Sequence, residues 1–223
     1  MEINKLNRQE AFRYMGYKTG NIDEKIIALT DQCESELISV IKPRFVYKVF
    51  DIEHSDNGVV VNNTSLILKG KDISDHLKDC ERCVLMCATV SIDVDNLIRK
   101  YEAQDMAKAV IADCLASAAI EQVCNEAEKE IKSAVGKYNF TWRFSPGYGD
   151  FPLEIQRDFV DVLDAQKRVG VNVSESLIMI PRKSVTAVIG VSEKEISKGR
   201  RGCVCCNMKD RCAYRKRGEH CGF

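Results

Sequence analysis

The sequence predicts an α+β fold with a mainly antiparallel, twisted sheet and a long central helix, and three features point to it. Residues 105–135 hold one helical period, about 45 Å of helix if unbroken. Residues 45–62 alternate in polarity across an Asn57-Gly58 turn, the mark of an antiparallel hairpin. Neither a GxGxxG fingerprint nor a Walker loop is present, which argues against the common nucleotide-binding α/β folds.

The elements follow in order. Asn7 can cap a helix over Arg8–Met15, with Gly16 as its stop, and Ile22–Ile41 carries a second helix that Pro43 ends. In the strand that follows, Phe45, Tyr47 and Val49 face one way and Val46, Lys48 and Phe50 the other. Asn57-Gly58 returns it into Val59–Asn62. Leu66–Leu68 reads as a short strand, residues around Ser74–Lys78 as a helix, Arg82–Thr89 as a buried strand and Val94–Lys100 as the helix after it. The long helix carries Ala109, Ala112, Ala116, Ala119 and Ala127 on its buried stripe, small enough to let neighbours pack close to its axis. Arg157–Arg168 reads as one helix with Gly170 as its C′ residue. Leu177–Ile180 and Ser184–Val191 read as strands, separated by Pro181.

With 223 residues, 45% hydrophobic and 30% charged, the chain can bury a substantial core. Its 33 basic and 33 acidic residues cancel, giving no electrostatic reason for a nucleic-acid or membrane partner. No apolar run has membrane-spanning length, and Met1-Glu-Ile-Asn-Lys lacks the apolar core of a secretory signal, so a cytoplasmic protein is expected. Eleven cysteines cannot all pair within one chain, and a reducing compartment favours thiols or metal ligation over disulfides.

Residues 143–152, Arg-Phe-Ser-Pro-Gly-Tyr-Gly-Asp-Phe-Pro, place a fixed cation beside a backbone that a flat ligand can approach. Arg143 offers a planar fork matched to a carboxylate. Pro146 pre-sets a turn, Gly147 and Gly149 remove Cβ atoms, and Tyr148 supplies an amphipathic wall. An ordinary surface turn is the plain alternative.

This turn is followed by Leu163-Asp-Ala-Gln-Lys167, Val173-Ser-Glu-Ser176 and Met179-Ile-Pro-Arg-Lys-Ser-Val185. In that order the pieces resemble the activation domain of cobalamin-dependent methionine synthase, with the similarity strongest over residues 100–192. The resemblance implies a curved mixed domain that binds S-adenosylmethionine and supports remethylation of cobalamin after a separate donor delivers an electron. It implies that Arg143 meets the ligand carboxylate, that the main chain around Ser145 and Gly147 approaches its polar groups, and that Tyr148 lies beside it. It also places Glu121 on an acidic position facing the ligand cleft, as a contact for the ammonium or sulfonium. Read from the residues alone, Asp113, Ser117 and Glu121 share one helix face that a solvated stripe explains equally well. Where the family has aromatic residues on the last strand of the site, this chain has Ile189-Gly190.

The sequence divides into an activation-domain-like part, 1–197, and a basic, cysteine-rich tail, 198–223. The tail offers Cys203, Cys205, Cys206, Cys212 and Cys221 with His220, too short a segment to build its own apolar core. Zinc or an iron–sulfur cluster would stabilise it, although the spacing matches neither standard pattern; a redox dithiol and a disordered tail are the alternatives. Neighbouring lysines and arginines would lower the thiol pKa values. Cys80, Cys83 and Cys87 run into a buried strand and read as packing residues, as do Cys114 and Cys124. His54 and His76 read as polar surface residues.

The leading expectation is a free-standing activator that binds S-adenosylmethionine and docks on the cobalamin domain of a methionine synthase, with an electron donor as a further partner. No catalytic acid or base is expected, since cofactor and substrate supply the reacting atoms. The alternatives are a non-catalytic binding module with a structural zinc tail, and an activator of another corrinoid methyltransferase.

Overall fold

The computed structural model describes residues 1–17, 22–197 and 210–216. Its helices are α1 (Arg8–Tyr14), α2 (Glu24–Val40), α3 (Lys71–Leu77), α4 (Ile92–Gln104), α5 (Met106–Val135), α6 (Gln156–Leu163), α7 (Ala165–Val169) and α8 (Ala213–Lys216). Its strands are β1 (Arg44–Ser55), β2 (Gly58–Val61), β3 (Ile67–Leu68), β4 (Arg82–Thr89), β5 (Asn139–Phe140), β6 (Asn172–Val173), β7 (Met179–Ile180) and β8 (Ser184–Ser192). Six strands form one sheet in the order β3-β2-β1-β4-β8-β5, and β6 and β7 form a separate pair. The pairings of β1 with β2, β2 with β3 and β5 with β8 are antiparallel, as the α+β class requires.

The chain divides into two compact units. The first comprises Met1–Lys48, Leu85–Gly136 and Gln156–Thr186. Here α1, α2 and α4 pack on α5. Close approach is possible because Ala109, Ala112, Ala116, Ala119 and Ala127 are all buried. Asp105 caps α5 by accepting the N–H groups of Ala107 and Lys108 at 3.0 and 3.2 Å, and Gly136 follows its last residue. Buried Glu34 accepts the Leu6 N–H at 2.9 Å and pairs with Arg8, which ties the N-terminal segment to α2. A buried carboxylate is tolerated only with such partners.

Two expectations change in this unit. The helix expected over Arg157–Arg168 is two helices, because Asp164 adopts left-handed backbone, φ 54°, between α6 and α7. Asp is one of the few residues that enter this region at modest cost. The second helix starts at Glu24, with Asp23 as its cap through Lys25 N–H at 2.7 Å.

The second unit comprises Val49–Val84, Lys137–Ile155 and Ala187–Phe223. The β1–β2 hairpin pairs Ser55 with Gly58, so the two turn residues are Asp56 and Asn57, one position earlier than expected. Gly58 instead opens β2 at φ +123°, where a Cβ would lie 2.5 Å from the Leu68 carbonyl oxygen. The close approach of β3 therefore demands the glycine. Helix α3 buries Ile73, His76 and Leu77. His76 is thus a core residue, not the surface residue expected; His54 is exposed, with Nε2 3.3 Å from the Cys80 carbonyl oxygen.

Candidate functional site

Pro146 and Gly147 occupy the two central positions of a tight turn. The Tyr148 N–H donates to the Ser145 carbonyl at 3.1 Å, and Gly147 has φ +88°, the type II geometry that favours Pro followed by Gly. A second turn closes from Phe151 N–H to Tyr148 carbonyl at 2.9 Å, and Gly147 N–H reaches the Phe151 carbonyl at 2.9 Å. The loop is therefore fixed by its own backbone. Pro146 and Phe151 are buried, Arg143 and Ser145 half-buried, and Gly147 and Tyr148 exposed.

Helix α3 holds this loop from one side. Its N-cap residue, Gly70, has no side chain with which to satisfy the first N–H groups. Asp150 does so from the loop, accepting the N–H groups of Lys71 and Asp72 at 2.7 and 2.9 Å. Asp72 returns the bond, accepting the Asp150 N–H at 3.2 Å. A Cβ on Gly149 would lie 2.0 Å from Asp72 Oδ2, so this glycine makes room for the clamp. Gly147 is different: a Cβ there would meet only Leu153 Cδ1 at 3.5 Å. Of the two glycines expected to clear space for a ligand, Gly149 serves α3.

β8 holds the loop from the other side. Phe140 pairs with Val191, and Phe144 makes a bridge to Val188. Between those two pairs the loop strand advances four residues and β8 only three, so one residue among 141–143 is extra. This is a β-bulge, which bends a strand and re-aims a side chain. Arg143 sits in it. Trp142 and Phe144 flank Arg143 and contact the His76 ring at centroid distances of 4.7 and 5.0 Å. Phe144 in turn contacts Tyr148 and Phe151 at 6.0 and 6.1 Å. These spacings are those of favourable aromatic pairs.

Four expected contacts, Arg143, Ser145, Gly147 and Tyr148, thus fall on one continuous loop of the second unit. Glu121 belongs to the first unit, half-buried on α5. On the same face, Asp113 and Ser117 both meet Lys183 Nζ, at 2.8 and 2.9 Å. Tyr14 of α1 feels the Glu121 charge: burial first, then the Glu10 carboxylate, then Glu121 push its phenol up to about 12.

Ile189 and Gly190 are both buried in β8. A Cβ at Gly190 would lie 2.5 Å from Cys80 Sγ, 2.9 Å from Leu77 Cδ2 and 3.0 Å from Thr141 Cγ2. A larger side chain at Gly190 would meet these atoms, and the aromatic groups of the loop are the half-buried Trp142 and Phe144, the exposed Tyr148 and the buried Phe151. The thiols behave as packing groups: burial is the main cause that pushes Cys80 and Cys87 up to about 12, and Cys83 up as well. Enclosed thiols of this kind are poor nucleophiles. Among the described residues no group of three metal-binding side chains occurs. Cys212 is half-buried; Cys203, Cys205, Cys206 and Cys221 lie outside the described residues. Sequence reasoning missed His76, Thr141, Asp72 and Asp150. The spacing of Ile73, His76 and Leu77 on one helix face was the available signal for the first.

The strand order of this α+β chain, with Arg143 within the bulge beside a Pro-Gly-Tyr turn, is the arrangement to compare with known domains. The family model described as "Vitamin B12 dependent methionine synthase, activation domain" matches residues 71–197, and the chain belongs to that family. The solved structure "Crystal Structure of the MetH Reactivation Domain bound to AdoHcy" matches with a TM-score of 0.64 at 14% identity. That match covers 96% of this chain and 82% of the other, and at this identity it shows the fold. No curated protein matches the chain significantly.

The clamp between the loop and α3 gives a direct expectation. Asp150→Ala leaves two helix N–H groups without their cap and is expected to cost about 1–2 kcal/mol, read by urea unfolding. Asp150→Asn, which keeps one acceptor oxygen, is expected to lose less.

Proposed function

We propose that this chain binds S-adenosylmethionine on the 143–152 loop and acts in trans as the activator of a cobalamin-dependent methionine synthase. The observation that carries the reading is the bulged Arg143 beside the Pro146-Gly147 turn, in a chain of the activation-domain family. A guanidinium in a fixed frame can take a carboxylate through two parallel hydrogen bonds. Ser145 and Gly147 bring main chain beside it, and exposed Tyr148 supplies a flat apolar wall for the ligand's body. The AdoHcy bound to the solved MetH reactivation domain is the demethylated counterpart of that ligand, which supports the assignment.

A cobalamin held by the partner protein would supply the nucleophile for the sulfonium methyl, and a separate donor the electron that reduces it. The chain's own share is to hold that methyl in place, a task of orientation with no general base.

For the tail we propose a metal site built from Cys203, Cys205, Cys206, Cys212 and Cys221. Five thiols within residues 203–221 are the observation behind it. A metal would replace the apolar core that so short a segment cannot bury. An iron–sulfur cluster there would give the remethylation a local electron carrier, whereas zinc would make the tail a structural knob.

Calorimetric titration with S-adenosylmethionine tests the ligand site. Arg143→Ala is expected to weaken binding about 10–100-fold and Arg143→Lys by less, since the lysine keeps charge but loses the fork. Wild type that does not bind would favour a non-catalytic module. Binding untouched by Arg143→Ala would place the carboxylate elsewhere. For the tail, anaerobically and aerobically purified protein should be compared by metal analysis and visible absorption. An oxygen-sensitive iron chromophore is the result expected of a cluster, and zinc at full occupancy would overturn the electron-carrier role.

A further inference from the structure

The bulge that carries Arg143 is closed at one end by a side chain as well as by main chain. Thr141 N–H donates to the Gly190 carbonyl at 3.0 Å, as in an ordinary antiparallel pair. The return bond is unusual: Gly190 N–H donates to the Thr141 hydroxyl oxygen at 2.7 Å instead of to a carbonyl. The same oxygen lies 2.7 Å from His76 Nε2, in a buried setting. Its remaining neighbour is the Trp142 carbonyl, at 3.3 Å.

These contacts surround the extra residue. Thr141 precedes it or is part of it, and the hydroxyl takes the acceptor place that a regular ladder gives to the backbone. That displacement is what lets the strand gain one residue before Phe144 rejoins Val188. His76 holds the hydroxyl through hydrogen bonding and holds both neighbours of Arg143 through its ring contacts. Gly190 makes the geometry possible, because any side chain there would collide with Thr141, Leu77 and Cys80. A chain without the hydroxyl would leave a buried N–H unsatisfied or slide by one residue, and a one-residue slip sends a side chain to the opposite face.

We propose that Thr141 and His76 are positioning residues whose hydrogen bond sets the bulge that aims Arg143 at the ligand carboxylate. The proposal rests on S-adenosylmethionine binding at this loop and adds the device that orients the guanidinium. Neither residue touches the ligand. Both act through the backbone of residues 141–144.

The test is a double-mutant cycle on the full chain, read by calorimetry with S-adenosylmethionine, with the emission of Trp142, the single tryptophan, as a second readout. Thr141→Val keeps the shape and removes the hydroxyl; His76→Phe keeps a ring and removes the nitrogen. Each is expected to weaken binding about tenfold and to shift Trp142 emission. Thr141→Ser, which restores the hydroxyl, is expected to stay within about threefold of wild type. In an Arg143→Lys background, Thr141→Val is expected to cost under about threefold, because the fork it aimed is already gone. A purely structural role would lower the unfolding temperature and leave this coupling at zero. Should Thr141→Val not fold, the same cycle is run with His76→Phe. Unchanged affinity in a folded variant, or the same loss with Arg143 and with Lys at that position, overturns the proposal. Wild type that does not bind overturns the ligand reading itself, and the proposal with it; the wild-type titration separates the two failures.

Discussion

The second unit is organised around the one-residue mismatch between segment 139–144 and β8. A strand in strict register would alternate its side chains predictably, with Arg143 as one more sheet residue. The extra residue breaks the alternation at that arginine. Everything near it serves to keep the break in place: the glycine at 190, the hydroxyl of Thr141, the ring of His76, and the aromatic contacts that continue through Phe144 to Tyr148 and Phe151. A β-bulge is a local defect in hydrogen bonding, and it persists where side chains supply what the ladder lost.

The clamp to α3 works by the same logic of exchange. A seven-residue helix starting after a glycine has no cap of its own, and a loop with two glycines has little rigidity of its own. Asp150 gives the helix its acceptors, and Asp72 gives the loop one in return. The cost of ordering the loop is thereby offset by contacts that also complete a helix. In the proposed role of Arg143 this rigidity would have a functional sense, since a fork that is to bind a carboxylate is useful only if its orientation is held before the ligand arrives.

Local signals made much of the fold legible. The cap at Asn7, the apolar run over Arg82–Thr89 and the alanine stripe of α5 each carry their own evidence in sequence, and each element lies where that evidence places it. What escaped was non-local. β5 is only two residues long and exists because β8 lies alongside, so no periodicity marks it. The break at Asp164 lacks the glycine that usually announces left-handed backbone. Gly149 looked like space for a ligand because the sequence could not show Asp72 beside it. The turn itself was legible as a motif, whereas the bulge feeding it needs the register of two strands far apart in sequence.

A crystal structure of the chain with AdoHcy bound is the most direct measurement of the account. It should show the ligand carboxylate on the Arg143 guanidinium through two hydrogen bonds, with the Phe144 to Val188 bridge and the Thr141 hydroxyl bond to Gly190 intact. A ligand carboxylate held by another residue, or bound ligand with residues 139–144 in regular register against β8, would contradict it.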